Sequence, residues 1–509
     1  MHSDSAEAAR ETHIDDNDAF EQLQKRLVDL WPTMSPRSMD AQDRTVVVLH
    51  SISFWVPEHV HPLFPAYEER FLFFVLSVLR QTSARIVYIT SQPVHGRLID
   101  YFLGMVPGID INDVRDRLTF ISISDGTPRP LSEKILARPH LIERIRRAIP
   151  NRDRAMIFPF NVSRLEMEVA LHLDIPVYGP DPSLDRWGTK SGSRTIFAEE
   201  DVPHPAGVEE VSTIDEVVAG IESIRKARPD IEKVIVKLDR AVSGLGNATV
   251  DLRGALDRDD LEAAVKGLSP EDAETDAASY LSELRQNSGI VEELTVGSDF
   301  QSPSVQLRNS PTGEVEIIST HDQVLGGPTG QMFLGCRFPA EPHYVSLISQ
   351  EAMKVGRRLA KEGVVGRYGI DFVVTRTSGG WIPRAIEINL RNGGTTHPYL
   401  TLIALTDGSY DPDSGTFLAP DGGQRHYVAT DHMEHPSFSR LTPDDLLDLT
   451  SAHPMKWDSE SLIGPAFHLV SAIAVAGQVG VTAIAKTRDA ADSMYQDVRR
   501  ELVRESTSK

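Results

Sequence analysis

Residues 368–398 read YGIDFVVTRTSGGWIPRAIEINLRNGGTTHP. GIDFVVT is an alternating, β-branched run, TSGG is a turn and WIPRAIEIN is a second strand, so the stretch predicts a β-hairpin. Side chains alternate across a strand, which gives Glu387 and Asn389 one face and Ile386 and Ile388 the other. A hairpin symmetric about Gly379 sets Asp371 opposite Glu387 on that same face. Two facing carboxylates repel and are costly to bury together unless a cation lies between them. Hard oxygen ligands with an amide oxygen beside them suit Mg²⁺ held against the phosphates of a nucleotide. The same alternation also describes the solvated face of an antiparallel sheet. The residues after Asn389 favour the metal reading: Arg391 and then a polar, glycine-rich loop over 392–398, whose backbone can approach a ligand closely.

The rest of the chain bounds the partners. Its 509 residues suffice for three or four domains at about 100–200 residues each. The hydrophobic content of 40% and charged content of 25% are those of an ordinary soluble globular protein. A net charge of −22, from 52 basic against 74 acidic residues, argues against nucleic acid or an anionic membrane as a partner. Any anionic ligand must then meet a local positive pocket within a negative field. The single cysteine, Cys336, rules out an internal disulfide framework and fits a reducing, cytoplasmic setting. It sits in the apolar run FLGCRF, where a buried, inert thiol is expected. The acidic N-terminus has no apolar core for a signal peptide, and the apolar stretches 71–79 and 467–475 are too short to span a bilayer.

From Thr45 onward the pattern is α/β. TVVVLHSISF, ARIVYITS, RLTFISISD and RAMIFPFNV read as strands. Between and after them come helical runs: YEERFLFFVLSVLRQ, HGRLIDYFLGMVPG, SEKILARPHLIERIRRAIP with Ser132 as its cap, and SRLEMEVALHLD. This alternation favours a parallel sheet with helices on both faces. LDRWGTKSGSRTIFAEED reads as one further helix. Strands dominate 289–334, and FHLVSAIAVAGQVGVTAIAKT with ADSMYQDVRRELVRE forms a last α/β unit.

Lys237 follows the apolar strand 234–236 and precedes the loop Ser243-Gly244-Leu245-Gly246-Asn247-Ala248. A lysine at a strand end beside an NH-rich loop can hold phosphate oxygens by charge and backbone donors; a plain hairpin tip is the alternative. No G-x-x-x-x-G-K-[ST] and no G-x-G-x-x-G occurs, which excludes a P-loop and weakens a dinucleotide site. In VEELTVGSDF, residues 291–300, an adenine can read the backbone of Glu293 and Leu294 while Asp299 accepts the ribose hydroxyls.

In this order, Lys190 of GTKSGSR, Lys237, the glycine loop, VEELTVGSD and the Asp371–Glu387–Asn389 end resemble the ATP-grasp superfamily. NVSRLEMEVALHLDIPVYG, KSGSRTIFAEEDVPHPAG and the FHLV segment resemble the bacterial proteins related to the pheganomycin peptide ligase. The resemblance covers about residues 45–500. It implies an α/β chain, α+β in the ligase core, with a Rossmann-like pre-ATP-grasp domain followed by a two-lobed ATP-grasp fold. The divisions expected are a flexible N-terminal arm over 1–44, the pre-ATP-grasp domain over 45–180 and the N-terminal lobe with the glycine loop over 181–295. The C-terminal lobe with the Mg²⁺ site follows over 296–400, and a family-specific α/β segment over 401–509.

The reaction implied is ATP-dependent joining of a carboxylic acid to an amine, amino acid or peptide through an acyl phosphate, releasing ADP and phosphate. A kinase acting on a hydroxyl and a non-catalytic nucleotide-binding protein are the alternatives. The cofactors implied are ATP and two Mg²⁺ ions, with Mn²⁺ as a substitute. Asp371, Glu387 and Asn389 would hold the metal, Lys190 and Lys237 the α- and β-phosphates, and Arg391 the transferred phosphoryl group. Ser243, Gly244 and Gly246 would close over the phosphates. Gly369 stands where D-alanine–D-alanine ligase relatives carry an arginine, which leaves Arg367 or Arg337 to supply the oxyanion contact. His321, Gln323 and Gln331 are candidates for the acceptor pocket. A homodimer is the assembly common among such proteins.

Overall fold

The computed structural model describes residues 2–34, 44–73, 84–105, 110–242, 244–295, 300–327 and 330–509. Three sheets carry the architecture. The first is parallel and four-stranded, in the order Leu118–Ser122, Arg85–Thr90, Thr45–Leu49, Ala155–Pro159. The run Thr45–Leu49 is buried along its whole length. Val46 and Val48 enter one hydrophobic cluster while Val47 and Leu49 enter another on the opposite face. Apolar residues on both faces are what a parallel sheet covered on both sides requires.

The second sheet is antiparallel and five-stranded, in the order Gly207–Val211, Gly289–Glu293, Lys233–Leu238, Asn247–Asp251, Ser269–Pro270. Helices Ile214–Ala227, Arg258–Lys266 and Ala277–Asn287 cover it, sending Val217, Ile221, Val265 and Leu284 into its core. The third sheet has nine strands, eight of them in one path and Gly380–Asn389 paired with Gly366–Thr377 off that path. The helix Pro342–Lys361 lies against it through Tyr344, Ile348, Ala352, Val355 and Leu359, the spacing of an apolar helical stripe.

Several expectations from the sequence are corrected. Residues His2–Met34 form a continuous helix rather than a flexible arm with one short helix. Its Phe20, Leu23, Leu27 and Leu30 are buried, and Gln24 exchanges two hydrogen bonds with the Val177 backbone. Ser132 caps nothing: it is buried and donates to Glu166 Oε1 at 2.7 Å. The run around it splits into helices Leu131–Leu136 and Pro139–Arg147, because the residue before a proline is pushed out of the helical region. Residues 182–199 likewise divide into a 3₁₀ turn Pro182–Gly188 and a helix Lys190–Glu199 that starts afresh under the Thr189 cap. Of YEERFLFFVLSVLRQ the described residues, 67–73, are helical, with a 3₁₀ turn over Glu68–Phe71, and residues 74–83 lie outside the described set. The C-terminal strands His426–Glu434, Gln478–Ala485 and Gly464–His468 extend the nine-stranded sheet rather than forming a unit of their own.

Candidate active site

The hairpin Gly366–Thr377/Gly380–Asn389 places Asp371 directly opposite Glu387. A β-bulge interrupts the ladder here, because Phe372 already pairs with Ala385 and Ile386 is the extra residue. That bulge corrects one expectation. Ile386 does not turn away with Ile388, which is fully buried in the core, but lines the same cavity as Glu387 and Asn389. Two residues facing one is the geometry that re-aims a side chain.

At this end Asn389 Nδ2 donates to Asp371 Oδ2 at 2.9 Å, and Arg391 Nη1 donates to Asn389 Oδ1 at 2.7 Å. Burial, and after it the charge of Glu387, pushes the Asp371 carboxyl up to about 7. Lys190 partly answers that charge: its Nζ lies 3.3 Å from Glu387 Oε1 and donates to the Ala241 carbonyl at 2.8 Å. Lys190 opens the helix Lys190–Glu199, whose start is fixed by Thr189 accepting from the Gly192 amide at 3.0 Å.

Lys237 sits on the central strand of the five-stranded sheet and is buried against Glu292, Nζ to Oε1 2.5 Å. Glu292 also accepts from Arg194 at 3.1 Å. Ile235 pairs with Glu292 across the strands, so the two charges are diagonal neighbours on one face. Beyond Lys237 the chain loops back at Gly244, whose φ is +82°. A Cβ there would stand 2.6 Å from the Gln331 carbonyl oxygen, so both the conformation and the close approach require glycine. Asn247 Nδ2 reaches Gln331 Oε1 at 3.1 Å. The glycine loop of the five-stranded sheet is thus seated on the nine-stranded sheet.

Between these two sheets lies a cavity of about 430 Å³ lined by Lys237, Gly244, Glu293, Leu294, Asp371 and Glu387, among others. Glu293 itself is committed elsewhere, accepting from the Ala206 amide and from Arg228. Gln323 and Gln331 line this cavity. His321 does not: it is buried and bonded to the Tyr427 hydroxyl at 2.8 Å. Gly246 lies deeper in the loop, where a Cβ would collide with Ala241. Ser243 and Asp299 lie outside the described residues.

A second cavity, of about 420 Å³, shares Glu387 and Asn389 with the first and opens on their other side. Its wall comes from the loops that follow the first and fourth parallel strands, Ser53–Trp55 and 161–164, together with Arg240 and Arg391. Those two strands are neighbours in the sheet, at the point where the strand order reverses. Open parallel sheets bind ligands outside the carboxyl ends of their strands at such a point. Arg391 is held there because Asn392 bonds the Phe160 carbonyl through its amide and the Pro159 carbonyl through Nδ2. The Arg391 guanidinium lies over the Phe54 ring, 4.9 Å from its centre. Arg337 is not at either cavity and pairs with Asp492. Arg367 lines a small separate crevice with Tyr399.

Sequence reasoning missed Glu292, Phe54, Trp55, Arg164 and Arg240. Glu292 was within reach, since alternation sends one of two consecutive acids inward. Phe54, Trp55 and Arg164 follow from the rule about strand ends only once strand order is known, and Arg240 only once the second sheet is placed beside the first.

The comparisons agree with this geometry. A family model described as "IQCH-like, ATP-grasp" matches residues 271–380. The chain is 31% identical over 431 residues to the L-propargylglycine–L-glutamate ligase of Streptantibioticus cattleyicolor, covering 83% of this chain and 86% of the relative. It is 22% identical over 343 residues to IQ motif-containing protein H of Danio rerio, 58% of this chain but 32% of that longer one. Among solved structures, biotin carboxylase of Campylobacter jejuni in complex with a nucleotide superposes with a TM-score of 0.53 at 14% identity, over 89% of this chain and 90% of that one. An ADP complex of N5-carboxyaminoimidazole ribonucleotide synthetase superposes with a TM-score of 0.51 at 9% identity, over 91% and 98%. The two structures establish the fold, and the first relative establishes the family. The chain belongs to the ATP-grasp carboxylate–amine ligases, in the branch of the pheganomycin-type peptide ligases.

Proposed function

We propose that this ligase takes ATP into the cavity beside Lys237 and an anionic amino acid into the cavity beside Arg391, and joins the activated carboxylate to an amine at the wall between them. The observation that carries the proposal is that the two cavities meet at Glu387 and Asn389. Arg164, Arg240 and Arg391 face Asp185 and Glu387 across the second cavity, with Arg240 paired to Asp185, so its charged lining is net positive in a chain of net charge −22. Guanidinium forks suit carboxylates, so a dicarboxylic amino acid such as glutamate is the substrate class favoured. The name of the first relative points the same way.

The donor set at the hairpin end fits Mg²⁺: two carboxylates and an amide, with Asp371 already pushed to about 7 by burial and by its facing charge. Asp371, Glu387 and Asn389 would hold it, Asn389 turning its amide oxygen from Arg391 toward the ion. When bound, the metal offsets the charge of the β- and γ-phosphates. Lys190 and Lys237 bind phosphate oxygens, and the 243–248 loop, Ser243, Gly244 and Gly246 among its residues, covers them and keeps water from the acyl phosphate. The backbone at Glu293 and Leu294 takes the adenine, and Asp299 the ribose. Arg391 stabilises the phosphoryl group in transfer and then the tetrahedral intermediate formed when the amine attacks. Two metal ions, Mn²⁺ as a substitute and assembly as a homodimer complete the proposal.

The test is incubation with Mg-ATP, pooled carboxylic amino acids and pooled amines, read by mass spectrometry. The expected product has the mass of acid plus amine less water and forms with ADP. ADP formed with a phosphorylated acceptor and no condensed product would overturn the proposal in favour of a kinase.

A further inference from the structure

Away from the cleft, three side chains from separate elements converge on one buried point. His397 lies on the helix Thr396–Thr406, Asp431 on the strand His426–Glu434 and His468 at the end of the strand Gly464–His468. His397 Nε2 and His468 Nε2 are 2.9 Å apart. Both also approach the same carboxylate oxygen, Asp431 Oδ1, at 3.2 and 2.7 Å. The three residues are 3%, 7% and 2% exposed.

With Asp431 ionised against Arg70, protons alone cannot satisfy this triangle. A carboxylate oxygen accepts only, and each Nε2 carries at most one proton. If both nitrogens are protonated, both N–H groups aim at Oδ1 and crowd each other across 2.9 Å. If one is bare, its lone pair faces the lone pairs of the oxygen. With Asp431 ionised, every allocation leaves one edge repulsive at a point buried from bulk solvent. A cation facing all three lone pairs makes every contact favourable. Atoms with edges of 2.9, 2.7 and 3.2 Å lie on a circle of radius about 1.7 Å, so a point at the ~2.0–2.1 Å zinc–ligand distance from all three exists just off their plane.

Two further features belong to a built site. Gly480 pairs with His468 across the sheet, and a Cβ on it would stand 2.2 Å from ring atoms of His468. The imidazole therefore occupies its position only because residue 480 is glycine. Arg70 Nη1 donates to the other oxygen, Asp431 Oδ2, at 2.9 Å. A partner of that kind fixes the orientation of a ligating carboxylate.

We propose that His397, Asp431 and His468 bind one Zn²⁺ ion in a site distinct from the Mg²⁺ end of the hairpin. Two imidazole nitrogens with one carboxylate oxygen suit a borderline metal such as zinc and not Mg²⁺. A bound water is the fourth ligand. The ion ties the helix that follows the Arg391 loop to the C-terminal strands, and through Arg70 to the parallel-sheet region.

The test uses the full-length, untagged chain, purified without chelator and dialysed against Mg²⁺ buffer, with metal content read by inductively coupled plasma mass spectrometry. About one equivalent of zinc per chain is expected, together with visible d–d absorption of a tetrahedral ion after Co²⁺ exchange. His468→Gln and Asp431→Asn are each expected to lose the zinc. Wild-type protein free of zinc, with a melting temperature unmoved by added Zn²⁺, overturns the proposal. Zinc retained by both variants overturns it equally. If the variants fail to fold, the wild-type metal content and Co²⁺ spectrum decide alone.

Discussion

The two cavities are almost equal in volume, about 430 and 420 Å³, yet their walls are built on opposite principles. In the first, the lysine that faces the cavity is already matched by Glu292. In the second, three arginines from three separate segments meet two carboxylates, Asp185 and Glu387, and Arg240 is paired with Asp185. On the proposed function the first cavity would take a ligand that brings its own cations, and the second an anion that arrives without one. Their shared wall, Glu387 and Asn389, would then be where the two substrates meet.

The shared wall gives the largest expected effect. Glu387→Gln removes the charge that both sides use, and turnover should fall by about two to three orders of magnitude while the melting temperature holds. Lys237→Met breaks the comparison on the nucleotide side. It leaves Glu292 with Arg194 alone, which should lower the unfolding free energy by about 3 kcal/mol and raise the KM for ATP, measured by urea melts and initial rates. Arg164→Gln tests the other side. The KM of the anionic amino acid should rise about tenfold, a loss of ~1.4 kcal/mol, with the KM for ATP unchanged. A change in the KM for ATP of similar size would mean that the two cavities do not divide the substrates as described.

A separate effect is in pH. The Asp371 carboxyl is raised to about 7 in the folded chain, above its unfolded value. The folded state then holds the extra proton, so this group favours folding at low pH and loses that contribution as pH climbs toward 7. Metal-free protein should therefore lose stability between about pH 4 and about pH 7, and Asp371→Asn should flatten that profile. Mg²⁺ binding should run the other way, weakening as pH falls below about 7 because the ligand must be deprotonated.

The hairpin was legible in the sequence because its information is local: a tight turn and two alternating runs fix Asp371 opposite Glu387. The bulge at Ile386 was not, since one extra residue leaves the hydrophobic pattern almost intact while it changes which way a side chain points. The parallel strands were legible as apolar runs bounded by turns, but periodicity carries no strand order, so the arginine cavity at the reversal point stayed hidden. The same limit concealed the pairing of Cys336 with Ala429 that joins the C-terminal strands to the ligase sheet. His397, Asp431 and His468 were hidden most completely. They lie 34 and 37 residues apart along the chain and share neither a periodicity nor a motif. The cap at Ser132 was misplaced because the helix already starts at Leu131, after Pro130, and the break before Pro139 was missed because apolar spacing runs through it.

The central claim is that the wall between the cavities activates a carboxylate. Hydroxylamine offered in place of the amine tests it most directly, with Mg-ATP and glutamate supplied and the products followed by mass and by ferric chelation. The account predicts an acyl hydroxamate formed in step with ADP, and none from Glu387→Gln. ADP formed with a phosphorylated product that hydroxylamine leaves intact would contradict it.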